Sequence, residues 1–252
     1  AHPAILAATQ AQLAIGTAYS TPAAQELALA EHICGRVRSI ERIVFNSSGT
    51  EAVLMALRAA RAYTGRHRFA KIEGGYHGFS DFVMVGGHDF AAQEDGPARF
   101  GAMPDTAGLP PAATADVLLL RYNDIEGSRR ALRMYGDQLA AVIVEPMLGS
   151  AGVIPAQREY LEMLRSETLR TGTLLICDEV ISLRQAHGGL QSSYDLAPDI
   201  TTMAKIIGGG FPMGAVGGRA EVMSVFETPG PRHVAHLGTF SANPVSLAAG
   251  LA

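Results

Sequence analysis

In the stretch DITTMAKIIGGGFPMGAVGG, residues 199–218, a single lysine, Lys205, closes an apolar run and three glycines follow almost at once. A lysine held at the end of a buried strand is pushed toward its neutral form, because burial penalises the ammonium, and a neutral amine attacks carbonyl compounds. The plainer alternative is a strand-end lysine lying along apolar surface with its charge in water. Asp178 raises a parallel question at the end of TLLICD, residues 173–178. A carboxylate there needs a hydrogen bond or a cation, and a protonated pyridine nitrogen is one such cation. Capping of the following segment is the other reading.

Two further clusters follow strand-like runs. In FNSSGTEA, Ser48, Gly49 and Thr50 form a small polar turn that opens a helix. Free N–H groups at a helix N-terminus bind anions, and the hydroxyls add donors; ordinary capping by Ser48, with Glu51 in the first turn, needs the same residues. In EGGYHGFSD, Tyr76 and His77 come after two glycines that let the backbone approach a ligand, and the tyrosine ring can stack on a flat heterocycle. A packed surface turn would look similar. The glycines after Lys205 also resemble a dinucleotide loop, but that motif belongs to an early strand-to-helix turn, and here they come late and lead into another strand. An anion cradle, a stacking aromatic, a carboxylate and a nucleophilic lysine together describe pyridoxal phosphate, which has a phosphate, a flat ring, a basic ring nitrogen and an aldehyde.

The strands that must position these groups are short, continuously apolar runs: RIVFN (42–46), FAKIE (69–73), DVLLLR (116–121), AAVIVE (140–145), TLLICD (173–178), DITTM (199–203) and GAVGG (214–218). Continuous rather than alternating apolarity is expected of strands covered on both faces. Between them GTEAVLMALRAARAYTG, DIEGSRRALRMYG and QREYLEMLRSETLRTG have helical periodicity and end in glycine. The order predicts an α/β fold with a mainly parallel seven-stranded sheet flanked by helices, and ligands bind such sheets at the carboxyl ends of the strands. The Gly/Pro-rich segment from about 86 to 115 reads as a long loop of the kind used for lids and binding loops.

The chain of 252 residues, 48% hydrophobic, can bury a large core. Its 20 basic and 24 acidic residues give a net charge of -4, with no basic excess of the kind that marks nucleic-acid binding. Cys34 and Cys177 lack metal or paired-thiol spacing and read as reduced thiols of a cytoplasmic protein; no metal and no membrane segment is expected. Both ends fall inside helical pattern, so residues 1–252 read as one large cofactor-binding domain from a longer protein, with an N-terminal segment and a small C-terminal domain outside it.

The motifs NSSGTEA, EGGYHGFSD, VEPMLGSAG, LLICDEV, DITTMAKIIGGGFPMGAVGG and HLGTFSANP resemble the class III (subgroup II) aminotransferases among the fold-type I pyridoxal-phosphate enzymes, over essentially the whole chain. The resemblance implies that Lys205 is the Schiff-base lysine and Asp178 the partner of the pyridine nitrogen. Tyr76 and Val180 would flank the ring, with His77 beside it. Ser48, Gly49 and Thr50 would hold the phosphate, and Glu145 matches an acidic position beside the site. Thr239 would reach the phosphate of a neighbouring subunit, which implies a homodimer. The activity implied is transfer of an amino group between an amino acid, such as a β-amino acid, and a keto acid. Glutamate-1-semialdehyde aminomutases are similar in the same motifs. However, GYHGFSD, the short DEVISLR with Arg184, and LRYND are closer to the β-amino-acid transaminases. A cofactor-binding module without activity is a further alternative.

Overall fold

The computed structural model describes residues 2–19, 21–86, 100–227 and 229–252. Seven strands form the main sheet: β1 (Arg42–Asn46), β2 (Arg68–Ile72), β3 (Val117–Leu120), β4 (Leu139–Val144), β5 (Leu174–Asp178), β6 (Ile200–Ala204) and β7 (Gly214–Gly218). Their order is β1-β7-β6-β5-β4-β2-β3. Only β7 runs antiparallel, between β1 and β6; the β6–β5, β5–β4, β4–β2 and β2–β3 pairs are parallel. The expected strands all form, each within one residue of its expected bounds.

The continuous apolar runs have the cause inferred for them. Along β4 all six residues are buried. Ala141 and Ile143 face a core shared with Val53 and Leu57 of the helix Gly49–Thr64. Val142 and Val144 face the opposite core, with Leu132 and with Tyr160 and Leu164 of the helices Ile125–Tyr135 and Arg158–Thr171. The pleat sends neighbours to opposite faces, and here both faces are covered. A third cluster joins Phe45 and Met203 to Leu29 and Ile33 of the helix Ala24–Arg36 and to Leu247 of the helix Pro244–Leu251.

Sequence chemistry sets the helix ends. Ser48 caps the helix 49–64 by accepting from the Glu51 N–H, and the helix stops at Gly65, whose φ of 71° is easily adopted only without a β-carbon. Beneath the sheet Asp199 accepts hydrogen bonds from Arg165, Arg219 and the Leu175 N–H, tying the start of β5 to the segment entering β6.

The long segment 86–115 is more structured at its ends than expected. Val85–Gly86 pairs with Met103–Pro104, Phe100 bridges to Leu118, and Pro111–Ala115 forms a short helix. Residues 87–99, on which a lid role would rest, lie outside the described residues. Among the described residues no helix is long and apolar enough to cross a membrane.

Candidate active site

The parallel strands deliver the singled-out residues to one end of the sheet. Asn46 of β1 and Ala204 of β6 both pair with Gly214 of β7. The Ser47–Thr50 turn and Lys205, each following its strand directly, are therefore separated by a single glycine. A β-carbon at Gly214 would run into the Ser48 carbonyl, so no other residue fits between them. One strand further, Thr202 pairs with Asp178.

These ends enclose a cavity of about 360 Å³ lined by Ser48, Gly49, Thr50, Tyr76, His77, Glu145, Asp178, Val180 and Lys205. Nine of the ten expected site residues thus meet in one pocket. The tenth, Thr239, is exposed in a turn beside Leu237 and Phe240, which are 91% and 64% exposed, and does not line this pocket.

Asp178 is 3% exposed, and both of its oxygens are held. His77 Nδ1 donates to Oδ2 at 2.7 Å, and the Val180 N–H donates to Oδ1 at 3.1 Å. The carboxylate is thus fixed in the pocket wall as a hydrogen-bond acceptor. His77 is 1% exposed, and its Nε2 has no partner among the described residues.

Glu145 is also buried. Its Oε1 accepts from the Tyr76 N–H and its Oε2 from the Gly149 N–H, clasping the Tyr76 loop to the loop after β4. Burial raises its pKa, against the lowering effect of His77 and of those two N–H groups. Glu179 next to Asp178 is buried too. It accepts from Ser182 and from the Leu190 and Gln191 N–H groups, so it anchors the following segment rather than facing the pocket. The sequence signal for that role, an acid heading a loop, does not differ from that of Asp178.

At the Ser48 turn the Glu51 N–H is used by Ser48 Oγ, while the Gly49 and Thr50 N–H groups belong to the first helical turn, where no intrahelical acceptor exists. With the Ser48 and Thr50 hydroxyls they form a donor-rich concavity at the positive end of a 16-residue helix. Val180 packs against Gly49, and Tyr76, 48% exposed, stands at the mouth.

Lys205 differs from expectation. It is exposed, because β6 ends at Ala204 and the chain turns there with φ of 52° at Lys205, a left-handed conformation unusual for a residue with a β-carbon. Such a residue costs about 1–2 kcal/mol relative to the ordinary right-handed region and tends to mark functional sites. Phe211, Pro212 and Met213 line the same pocket and were not singled out from the sequence. The sequence has one other lysine, Lys71. That residue is 2% exposed, donates to the Val85 carbonyl at 2.6 Å, and has its pKa lowered by burial. The pocket therefore contains the one lysine amine open to solvent.

The donor set fits a phosphorylated pyridine aldehyde: hydroxyl and N–H donors for the phosphate, a fixed buried carboxylate for the ring nitrogen, and an amine for the carbonyl carbon. Among the described residues no cluster of His, Cys, Asp and Glu is arranged to hold a metal ion.

The family model described as aminotransferase class-III matches residues 1–252. The chain is 44% identical over 252 residues to glutamate-1-semialdehyde 2,1-aminomutase 2 of Brevibacillus brevis, covering 100% of this chain and 57% of the relative. Among solved structures, an omega-transaminase from Sphaerobacter thermophilus superposes with a TM-score of 0.92 at 50% identity, covering 100% of this chain and 57% of that one. A β-phenylalanine aminotransferase from Variovorax paradoxus superposes with a TM-score of 0.86 at 39% identity, covering 100% and 53%. The chain thus spans little more than half the length of these relatives.

Proposed function

The chain belongs to the class-III aminotransferase family, and from that premise we propose that it binds pyridoxal phosphate and moves an amino group between a small amino compound and a keto acceptor. One observation carries this reading. The solvent-open lysine, the doubly held Asp178 and the free N–H groups of the helix 49–64 converge on one cavity.

Ser48, Gly49 and Thr50 would hold the phosphate, Tyr76 and Val180 would flank the ring, Asp178 would partner the ring nitrogen and Lys205 Nζ would bind the aldehyde. When bound, pyridoxal phosphate supplies an electron sink that acidifies the substrate carbon bearing the nitrogen. Asp178 would present its oxygens to the ring nitrogen, with its position set by His77 and the Val180 N–H. Lys205 Nζ, placed in the same pocket, would accept the proton from the substrate carbon and return it to a neighbouring carbon. Glu145 holds the Tyr76 loop in place.

We assign the amino donor to the β-amino-acid class. The support is the likeness to the β-phenylalanine aminotransferase and the short DEVISLR segment. A second reading, intramolecular transfer as in an aminomutase, has its own support in the 44% identity to the Brevibacillus brevis enzyme. Assay of the full-length protein separates them. A β-amino acid with pyruvate should yield alanine, whereas turnover of glutamate-1-semialdehyde without any acceptor would favour the aminomutase.

Thr239, Leu237 and Phe240 form an exposed segment suited to a second copy of the chain, with Thr239 completing the partner's phosphate site. The unpaired thiols of Cys34 and Cys177 suit a cytoplasmic setting.

A further inference from the structure

Asn46 is the last residue of β1 and leads directly into the Ser47–Thr50 turn. Two contacts brace that turn. Gly214 lies against the Ser48 carbonyl, and Glu51, in the first turn of the following helix, accepts from the Ser47 N–H at 2.6 Å. Asn46 itself is 3% exposed, and a buried side-chain amide needs partners for its N–H and C=O groups.

Its partner comes from 190 residues away: Asn46 Nδ2 lies 3.1 Å from His236 Nε2. An amide nitrogen can only donate, so Nε2 accepts and the proton of the neutral imidazole sits on Nδ1. Among the described residues this is the one hydrogen bond of the Asn46 side chain, since Oδ1 is buried without a partner. His236 is held in turn. Just before it the Val234 N–H donates to the Val225 carbonyl at 2.8 Å, and Val234 is buried in the same core as Val53. The Phe226 ring meets the imidazole edge-on, with centroids 6.1 Å apart. Removing the imidazole acceptor would leave both ends of a buried amide without a partner at the entrance to the turn, which favours an Asn46 that swings toward water.

We infer that His236 is a positioning residue for the phosphate turn: through Asn46 it fixes the backbone from which Ser48, Gly49 and Thr50 present their donors to an anion. That role rests on the reading that the turn holds the cofactor's phosphate. His236 does not line the pocket, so it acts on a bound cofactor only through Asn46 and the turn.

The test compares two ligands. The full-length protein, stripped of cofactor, is titrated with pyridoxal phosphate and with pyridoxal, which has the same ring and aldehyde but no phosphate. His236→Leu, which removes the acceptor, should weaken pyridoxal phosphate about ten-fold, the scale of one lost hydrogen bond, and leave pyridoxal unchanged. His236→Gln, whose side-chain oxygen can stand where Nε2 stands, should recover most of that loss. Asn46→Ala should act as His236→Leu does, and combining the two should add nothing, because both remove one interaction. A merely structural role would weaken the two ligands alike. A parent that binds both ligands equally would overturn the phosphate reading, and this role with it. A parent that prefers pyridoxal phosphate, with variants whose preference is unchanged, would overturn the role of His236 alone.

Discussion

His77 Nδ1 lies 2.7 Å from Asp178 Oδ2, and both side chains are almost completely buried. A buried carboxylate with a single donor on each oxygen depends on both donors. Replacing His77 with Phe leaves Oδ2 without a partner and the carboxyl group free to turn away from the pocket. Amino-transfer rate should fall by about a hundred-fold, equivalent to about 3 kcal/mol. His77→Asn, which keeps a donor, should lose less. A rate for His77→Phe equal to that of the parent would remove His77 from this role.

Gly214 separates the Ser48 turn from the end of β6 that leads into Lys205, with no room for a β-carbon. Gly214→Ala must push the two backbones apart at overpacking costs of about 1–3 kcal/mol. Chemical denaturation should register that loss, together with weaker retention of pyridoxal phosphate. Gly35 in the helix Ala24–Arg36, whose added β-carbon would meet open space on an ordinary helical backbone, serves as a comparison site.

Lys205 adopts φ of 52°. Lys205→Ala keeps the strained backbone, while Lys205→Gly relaxes it. The left-handed penalty of about 1–2 kcal/mol, less about 0.5–1 for the extra freedom of glycine in the unfolded chain, leaves Lys205→Gly more stable by roughly 0.5–1 kcal/mol. Thermal melts of the two variants check this. A more stable alanine variant would mean that the turn is not strained.

Glu145 has a pKa raised above 4.5 by burial, so the folded chain binds its proton more tightly than the unfolded chain does. Its contribution to stability is most favourable at and below pH about 4.5 and is lost as pH rises through the folded value. Glu179 shifts the same way for the same first cause. The difference in unfolding free energy between the parent and Glu145→Gln should therefore change between pH 4.5 and neutrality in favour of the glutamine variant. A difference independent of pH in that window would contradict it.

Asp199 is 2% exposed and joins Arg165, Arg219 and the Leu175 N–H. Asp199→Ala strands the Arg165 guanidinium and the Leu175 N–H, while Arg219 keeps its bond to Glu221. Because the arginines are partly solvated, the loss should fall near the lower end of the 3–5 kcal/mol range for broken buried pairs, about 3 kcal/mol. Urea denaturation measures it.

The strands were legible because burial on both faces leaves one kind of pattern, a continuous apolar run. GAVGG could be read as a strand, but not as the antiparallel one between β1 and β6, because its direction is set by the tight turn at Gly208–Met213. Lys205, Asp178 and the Ser48 turn could be located from strand ends alone. The pairing of His77 with Asp178 could not, since it joins residues 101 apart. Nor could the exposure of Lys205, which follows from one backbone angle. Glu145 was visible as an acid at a strand end, but its bonds to two loop N–H groups depend on how those loops fold over it.

The most direct test of the account uses the two-lysine composition. The full-length protein is loaded with pyridoxal phosphate, reduced with borohydride, digested and mapped by peptide mass. The loaded protein should be yellow and bleach on reduction, with the phosphopyridoxyl group on the Lys205 peptide and none on Lys71. A protein that takes up no cofactor, or one labelled on Lys71, would contradict it.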